Sequence, residues 1–279
     1  MTRIVGMSNE PCIAILARKT LDSLSLIITT YNRPDALDWV LGTVFLQSRI
    51  PDEVILADDG SGISTQKIIE KWKDFLPLAV SWLPDSGFRA ARSRNMALSK
   101  ASGDYIIMVD GDCLMPPYFV RNHIKLAEPN VVVAGGRYLF SQDETDQLLA
   151  KPFDARKLSY RSVKFCSLPL GPIRDLRPQH WKQARTCNLG LWRSNALGVS
   201  GFDEAYVGWG KEDSDFIFRL IREQRLKIRS GRLATCVGHL HHRESSRLNL
   251  ADNESRLFDM MSQTENIQVN AKRSVLANL

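Results

Sequence analysis

The sequence predicts an α/β fold, a mostly parallel sheet with helices on both faces. Three observations carry that prediction. Short apolar runs alternate with stretches of helical periodicity from Ser23 to Ala134. The runs are apolar at consecutive positions, as strands buried on both faces are. Each of the best runs ends in a polar or acidic loop, the place where such sheets bind ligands. The 279 residues give room for one such domain with an appended subdomain.

The first strand is read at Ser23–Thr29, then a helix over Asp35–Gln47 with Leu37, Val40, Leu41 and Val44 on one face. Glu53–Ala57 is the second strand, Thr65–Phe75 the second helix, and Ala79–Leu83 a short third strand. Ala91–Lys100 reads as a helix and Tyr105–Val109 (YIIMV) as a buried strand. Pro117–Leu126 follows as a helix and Asn130–Ala134 as a strand. From Ser141 to Gln183 the pattern breaks down among Pro152, Pro169, Pro172 and Pro178, which predicts a long irregular excursion. Order resumes at Thr186–Trp192, with a helix over Lys211–Glu223, a strand near Thr235–Leu240 and a polar, helical tail after Ser245.

Composition narrows the classes. A hydrophobic fraction of 44% and a charged fraction of 24% exclude wholesale disorder, collagen and coiled coil. No run reaches the roughly 18 apolar residues of a membrane helix, and Cys12–Ala17 is too short for a signal-peptide core. The five cysteines are widely spaced and form no C-x-x-C pair, so a reducing cytosol is the expected compartment. The net charge of +6 is local. Residues 151–193 hold ten Lys/Arg and two acids, while the rest of the chain is slightly acidic. That segment is either a solvated face or a surface for an anionic partner.

Four motifs carry chemistry. Asp110-Gly-Asp112 follows the most apolar strand, and two such carboxylates can hold a hard divalent cation. Gly208-Trp-Gly-Lys-Glu-Asp-Ser-Asp215 sets a Trp between two glycines before three acids at a helix start. Dipole complementation accounts for the acids but not for the Trp, which suits stacking on a sugar ring. His239, His241 and His242 cluster at a strand end, where an imidazole can complete a metal site. Gly87–Asn95 opens a helix with three arginines, a place to meet phosphate or a merely solvated first turn.

Taken in order, LIITTYNRP (26–34), ADDGS (57–61), GFRAARSRN (87–95), SGDYIIMVDGDC (102–113) and GWGKEDSD (208–215) resemble a family 2 glycosyltransferase of the GT-A fold. The late part, from Asn188 through Gly201-Phe-Asp-Glu to Asp213, is similar to beta-1,4-galactosyltransferases and bacterial chondroitin polymerases. The resemblance implies a GT-A, Rossmann-like mixed sheet in a single domain with an acceptor-side subdomain. It covers about residues 24–245 and implies a nucleotide-sugar-binding half (24–140) and an acceptor-binding and catalytic half (141–245); outside it the sequence pattern itself reads as an N-terminal arm (1–23) and a C-terminal helical tail (246–279). It assigns Thr29, Tyr31, Asp59, Arg94 and Asp110 to the nucleotide, and Trp209, Gly210 and Glu212 to the sugars. Asp213 is implied as the catalytic base beside Glu212, and Asp112 as ligand to Mn²⁺ or Mg²⁺. The late metal ligand is His242 or His239, depending on which relative is followed; His241 has no counterpart.

The implied reaction is an inverting, metal-dependent transfer of a hexose of the Gal, GalNAc or Glc type. The implied partners are a UDP-sugar donor and a glycan or lipid-linked acceptor of the bacterial surface. The expected location is cytoplasmic, with peripheral contact at an anionic inner membrane through the basic segment. Three competing readings are weaker. A sugar-nucleotide pyrophosphorylase lacks its Gly-rich loop here, nucleic-acid binding lacks a module, and an inactive sugar-binding relative would not need all these acids.

Overall fold

The computed structural model describes residues 21–154, 181–243 and 245–277. The predicted N-terminal arm up to Thr20 lies outside them, as do six of the ten basic residues of the +8 segment, Arg156, Lys157 and Arg161 included.

Three βα repeats open the fold: β1 (Leu24–Thr30), α1 (Pro34–Phe45), β2 (Glu53–Asp58), α2 (Ile63–Trp72), β3 (Leu78–Trp82) and α3 (Ala90–Lys100). Then come β4 (Tyr105–Asp110), β5 (Cys113–Leu114), α4 (Phe119–Leu126), β6 (Val131–Ala134) and β7 (Gly136–Leu139). The later elements are α5 (Gln142–Leu149), β8 (Asn188–Trp192), α6 (Arg193–Gly198), α7 (Glu212–Glu223), β9 (Lys227–Ser230), β10 (Cys236–His239) and α8 (Leu250–Ala277). Among the described residues no helix is long and apolar enough to cross a membrane.

The main sheet has seven strands in the order β3-β2-β1-β4-β8-β6-β9. Only β8 runs against its neighbours, pairing antiparallel with both β4 and β6. Consecutive apolar residues in each strand serve two layers. Leu24, Leu26 and Ile28 of β1 pack into a core with α1, α2 and α4, where Trp39 and Phe119 are buried. Ile27, Ile55 and Ile106 face the opposite core, shared with Ala97 and Leu98 of α3 and Phe216 and Leu220 of α7. Burying each such side chain contributes about 1.5–3 kcal/mol. The doubly covered, mostly parallel sheet expected from the sequence is the architecture observed.

Two differences bear on the site. The predicted excursion does not start at Ser141. Ser141 caps α5 through a reciprocal box with Glu144, and residues 151–154 are tied to α1 by Trp39 Nε1 donating to the Lys151 carbonyl at 3.0 Å. A second sheet, β5-β10-β7, was not foreseen. Its antiparallel pairing of His239 with Cys113, and the Leu240 N–H donated to the Asp112 carbonyl at 2.9 Å, lay the histidine strand on the D-x-D turn.

Candidate active site

The site forms where β1, β2 and β4 end together. Thr29 is in register with Ala57 on one side and Asp110 on the other, and Thr30 with Asp58. The loop after β1 is fixed at Asn32, whose φ is +46°. Its N–H donates to Ser61 Oγ and its Oδ1 accepts from Gly62 N–H, both at 2.9 Å. Gly60, at φ +103°, is required because a Cβ there would stand 2.5 Å from the Asp85 Cα. Tyr31 Oη donates to Asp85 Oδ2 at 3.0 Å, and that bond raises the phenol pKa. Asp59 Oδ2 accepts the Arg89 backbone N–H at 2.7 Å; burial nevertheless holds its carboxyl above the ordinary range. One of the helix-start N–H groups that could meet phosphate, that of Arg89, is thus already bonded to Asp59.

Arg94 points inward instead of toward solvent, and is 5% exposed. Nε donates to Thr29 Oγ1 at 3.2 Å, Nη2 to Asp110 Oδ1 at 3.3 Å, and Nη1 to Glu212 Oε1 at 3.2 Å and Asp213 Oδ1 at 3.5 Å. Burial alone would favour loss of its proton, but Asp213, Asp110 and Glu212 overcome that and push the guanidinium pKa up. Glu212 responds oppositely. Burial and the neighbouring Asp213 charge raise it from 4.5 to about 7, with Arg94 opposing. Burial likewise raises Asp110, against the pull of Arg94. Asp213 is gripped from its other side, by Thr186 Oγ1 at 2.6 Å to Oδ1 and the Thr186 N–H at 3.2 Å to Oδ2. The third acid of this run, Asp215, is not part of the cluster: it accepts from Arg219 Nη2 at 2.6 Å, one turn along α7.

Asp112 lies beside this cluster. His239 Nε2 is 3.6 Å from its Oδ1, while His242 Nε2 and Arg33 Nη1 are 3.6 and 3.5 Å from its Oδ2. Asp112, Cys113 and His239 bring ligand atoms within 4.8 Å of one another. The sequence left His239 and His242 as alternatives, whereas the fold brings both to Asp112, their rings 5.3 Å apart. The His241 backbone N–H instead donates to Thr145 Oγ1 of α5 at 2.8 Å, and its side chain is exposed.

The Trp209 loop leads into α7, which carries Glu212 and Asp213. Lys211 adopts φ +77° between Gly210 and α7, a left-handed conformation unfavourable for a residue with a Cβ. Contacts from α8 and the turn before it hold the loop. Asn249 and Asn253 both donate to the Val207 carbonyl at 3.1 Å, and Lys211 Nζ pairs with Glu254 at 2.9 Å. The Arg247 guanidinium lies 5.1 Å from the Trp209 ring centre, and Trp209 itself is 36% exposed.

Comparison with known proteins gives the family and the fold. The model for glycosyl transferase family 2 matches residues 25–179, more than half of the chain. The chain belongs to glycosyl transferase family 2. A second model, described as the N-terminal domain of galactosyltransferase, matches residues 176–243. Validoxylamine A glucosyltransferase of Streptomyces hygroscopicus subsp. limoneus is 30% identical over 214 residues, covering 71% of this chain and 47% of that protein. Chondroitin synthase of Escherichia coli is 28% identical over 224 residues, 73% of this chain and 33% of that one. The chain therefore spans about half or less of the length of these relatives. Among solved structures, Staphylococcus aureus TarS 1–349 in complex with UDP shares the fold at a TM-score of 0.56 and 18% identity, over 78% of this chain and 60% of that one.

Within this family 2 chain, sequence reasoning missed Thr186, Arg33, Asp85 and Arg247. Arg33 stood in a quoted motif without a role. Thr186 carried no signal: its importance arises only because β8 begins opposite α7, 27 residues from Asp213.

Proposed function

We propose that this chain is an inverting, metal-dependent transferase that moves a hexose from a UDP-sugar to a hydroxyl of a bacterial surface glycan or lipid-linked acceptor. One observation carries the reading: the Arg94-linked acids Asp110, Glu212 and Asp213 adjoin Asp112, His239 and His242 at the ligand-binding edge of the sheet. The printed activities of the relatives, a glucosyltransferase and a chondroitin synthase, support sugar transfer. TarS bound to UDP shares the fold and supports a uridine donor.

Tyr31, Asp59 and Thr29 form the wall assigned to the nucleoside, and Trp209 with Gly210 the platform for a sugar ring. The carboxylate and two imidazoles around Asp112 are a donor set suited to Mn²⁺, and better matched to it than to Mg²⁺. A metal held there supplies charge neutralisation for the leaving diphosphate. Asp213 takes the proton from the acceptor hydroxyl, with Thr186 and Arg94 fixing its oxygens. Glu212, at about 7, is a second reading for the base because that value lies near working pH. Asp213 is preferred because its side chain is the more exposed, 20% against 12%. The basic segment of residues 151–193 is assigned to an anionic acceptor or to peripheral contact with the cytoplasmic face of a membrane.

The test is acceptor-free hydrolysis of a panel of UDP-hexoses with Mn²⁺ or Mg²⁺. Turnover of one UDP-hexose, stronger with Mn²⁺ and lost on chelation and in Asp112→Ala, is expected. Equal turnover with EDTA would remove the metal from the scheme, and hydrolysis of GDP-sugars alone would remove the uridine.

A further inference from the structure

Asp112 has a cationic neighbour that neither the motifs nor the histidines account for. Arg33 sits between β1 and α1, in the loop pinned by Asn32 to Ser61 and Gly62. The backbone from which its side chain departs is therefore fixed. Nη1 is closed off from solvent, donates no hydrogen bond, and stands 3.5 Å from Asp112 Oδ2, the oxygen that also faces His242. A buried guanidinium N–H without an acceptor is unfavourable, and a 3.5 Å ion pair without hydrogen-bond geometry does not relieve it. Arg33 is also two residues from Tyr31, which is assigned to the nucleoside. Its charge lies beside the carboxylate assigned to the metal, the group that a donor's diphosphate would approach.

We propose that Arg33 is a diphosphate-binding residue that waits on Asp112, occupying the metal's carboxylate until the donor arrives. This rests on the reading of Asp112 as metal ligand. Like charges repel, so a divalent ion at Asp112 and the Arg33 guanidinium oppose each other when no anion is present. A diphosphate reverses this by offering phosphate oxygens to the N–H groups that now lack acceptors. Arg33 therefore weakens the binding of metal alone, strengthens the binding of nucleotide, and makes the two bind synergistically.

The experiment measures two affinities in Arg33→Met: Mn²⁺ alone by electron paramagnetic resonance, and UDP at saturating Mn²⁺ by calorimetry. Mn²⁺ alone is expected to bind about fivefold tighter than in the unaltered protein. UDP is expected to bind about tenfold weaker, with Arg33→Lys intermediate. A variant that lost local structure would weaken both, so opposite signs are diagnostic. Mn²⁺ affinity unchanged or reduced, or UDP affinity unchanged, overturns the proposal. Asp112→Ala separates the failures. If it abolishes Mn²⁺ binding while Arg33→Met leaves both affinities alone, only the role of Arg33 falls. If Mn²⁺ binds Asp112→Ala normally, the metal assignment falls with it.

Discussion

Glu212→Gln is expected to make the protein more stable at alkaline pH while impairing the site. Glu212 is 9% exposed, beside Asp213 and 3.2 Å from Arg94 Nη1. Burial first, and the Asp213 charge second, raise its pKa from 4.5 to about 7, more than Arg94 lowers it. Between those values the folded protein keeps a proton that the unfolded chain has released. Stability from this group is therefore fully present below pH 4.5 and is lost as pH rises through 7. At about 1.4 kcal/mol for each pH unit, the loss accumulates to about 3 kcal/mol by pH 8.

Glutamine removes that titration, keeps the volume, and still offers a carbonyl oxygen to Arg94. The assay is urea unfolding of both proteins, free of metal and nucleotide, at pH 4.5 and pH 8. The free-energy difference, variant minus unaltered protein, is expected to rise by about 3 kcal/mol toward the variant across that interval. A difference flat with pH, or one moving toward the unaltered protein, would refute the account of Glu212 as a carboxyl held at an electrostatic cost.

Three further outcomes follow from the same geometry. Asp213→Asn is expected to lower turnover by roughly 10²–10⁴ while UDP affinity stays within about twofold; the check is steady-state kinetics beside calorimetry. Thr186→Val removes the hydroxyl donor to Asp213 Oδ1 and so leaves the carboxylate less firmly oriented. A fall of about tenfold in kcat with UDP affinity unchanged is expected, and Thr186→Ser is expected to restore it, which loss of packing alone would not do. Trp209→Ala is expected to raise the acceptor KM by about tenfold with UDP affinity unchanged, as judged by initial rates over a range of acceptor concentrations.

Apolar strands and striped helices were legible in the sequence because burial wrote them there. Polar elements were not. The α5 helix buries only Thr145, so no stripe marks it, although its Ser141-x-x-Glu144 capping box was present to be read. The strand β9 (KIRS) lies at the edge of the main sheet, where charged residues are tolerated, and charge disguised it. At the site, the D-x-D and the Trp-Gly turn could be found as local strings. The pairing of Arg94 with Glu212 and Asp213 could not, since 118 and 119 residues separate them and only the packing of α3 and α7 on one face of the sheet joins them. The two histidines illustrate the same limit. Resemblance to different relatives made them rivals, while the β5–β10 register and the loop after it bring both to one carboxylate.

The charges of the two clusters bear on the divalent ion proposed at Asp112. Arg94 faces three carboxylates, Asp110, Glu212 and Asp213, leaving two negative charges in excess when all are ionised, while Arg33 only balances Asp112. Asp112 also raises the pKa of Asp110, so the two clusters share one field. Burial is the first cause of the raised Glu212 pKa, but its second cause, the Asp213 charge, belongs to that excess, and a divalent ion at Asp112 would offset it. Saturating Mn²⁺ is therefore expected to lower the Glu212 pKa and shrink the alkaline advantage of Glu212→Gln below the roughly 3 kcal/mol of the metal-free comparison. Repeating the unfolding series at pH 8 with and without Mn²⁺ measures this directly. An advantage unchanged by Mn²⁺, in protein shown to bind it, would mean that the two clusters are electrostatically independent and that the Arg94 acids are not tuned by the metal.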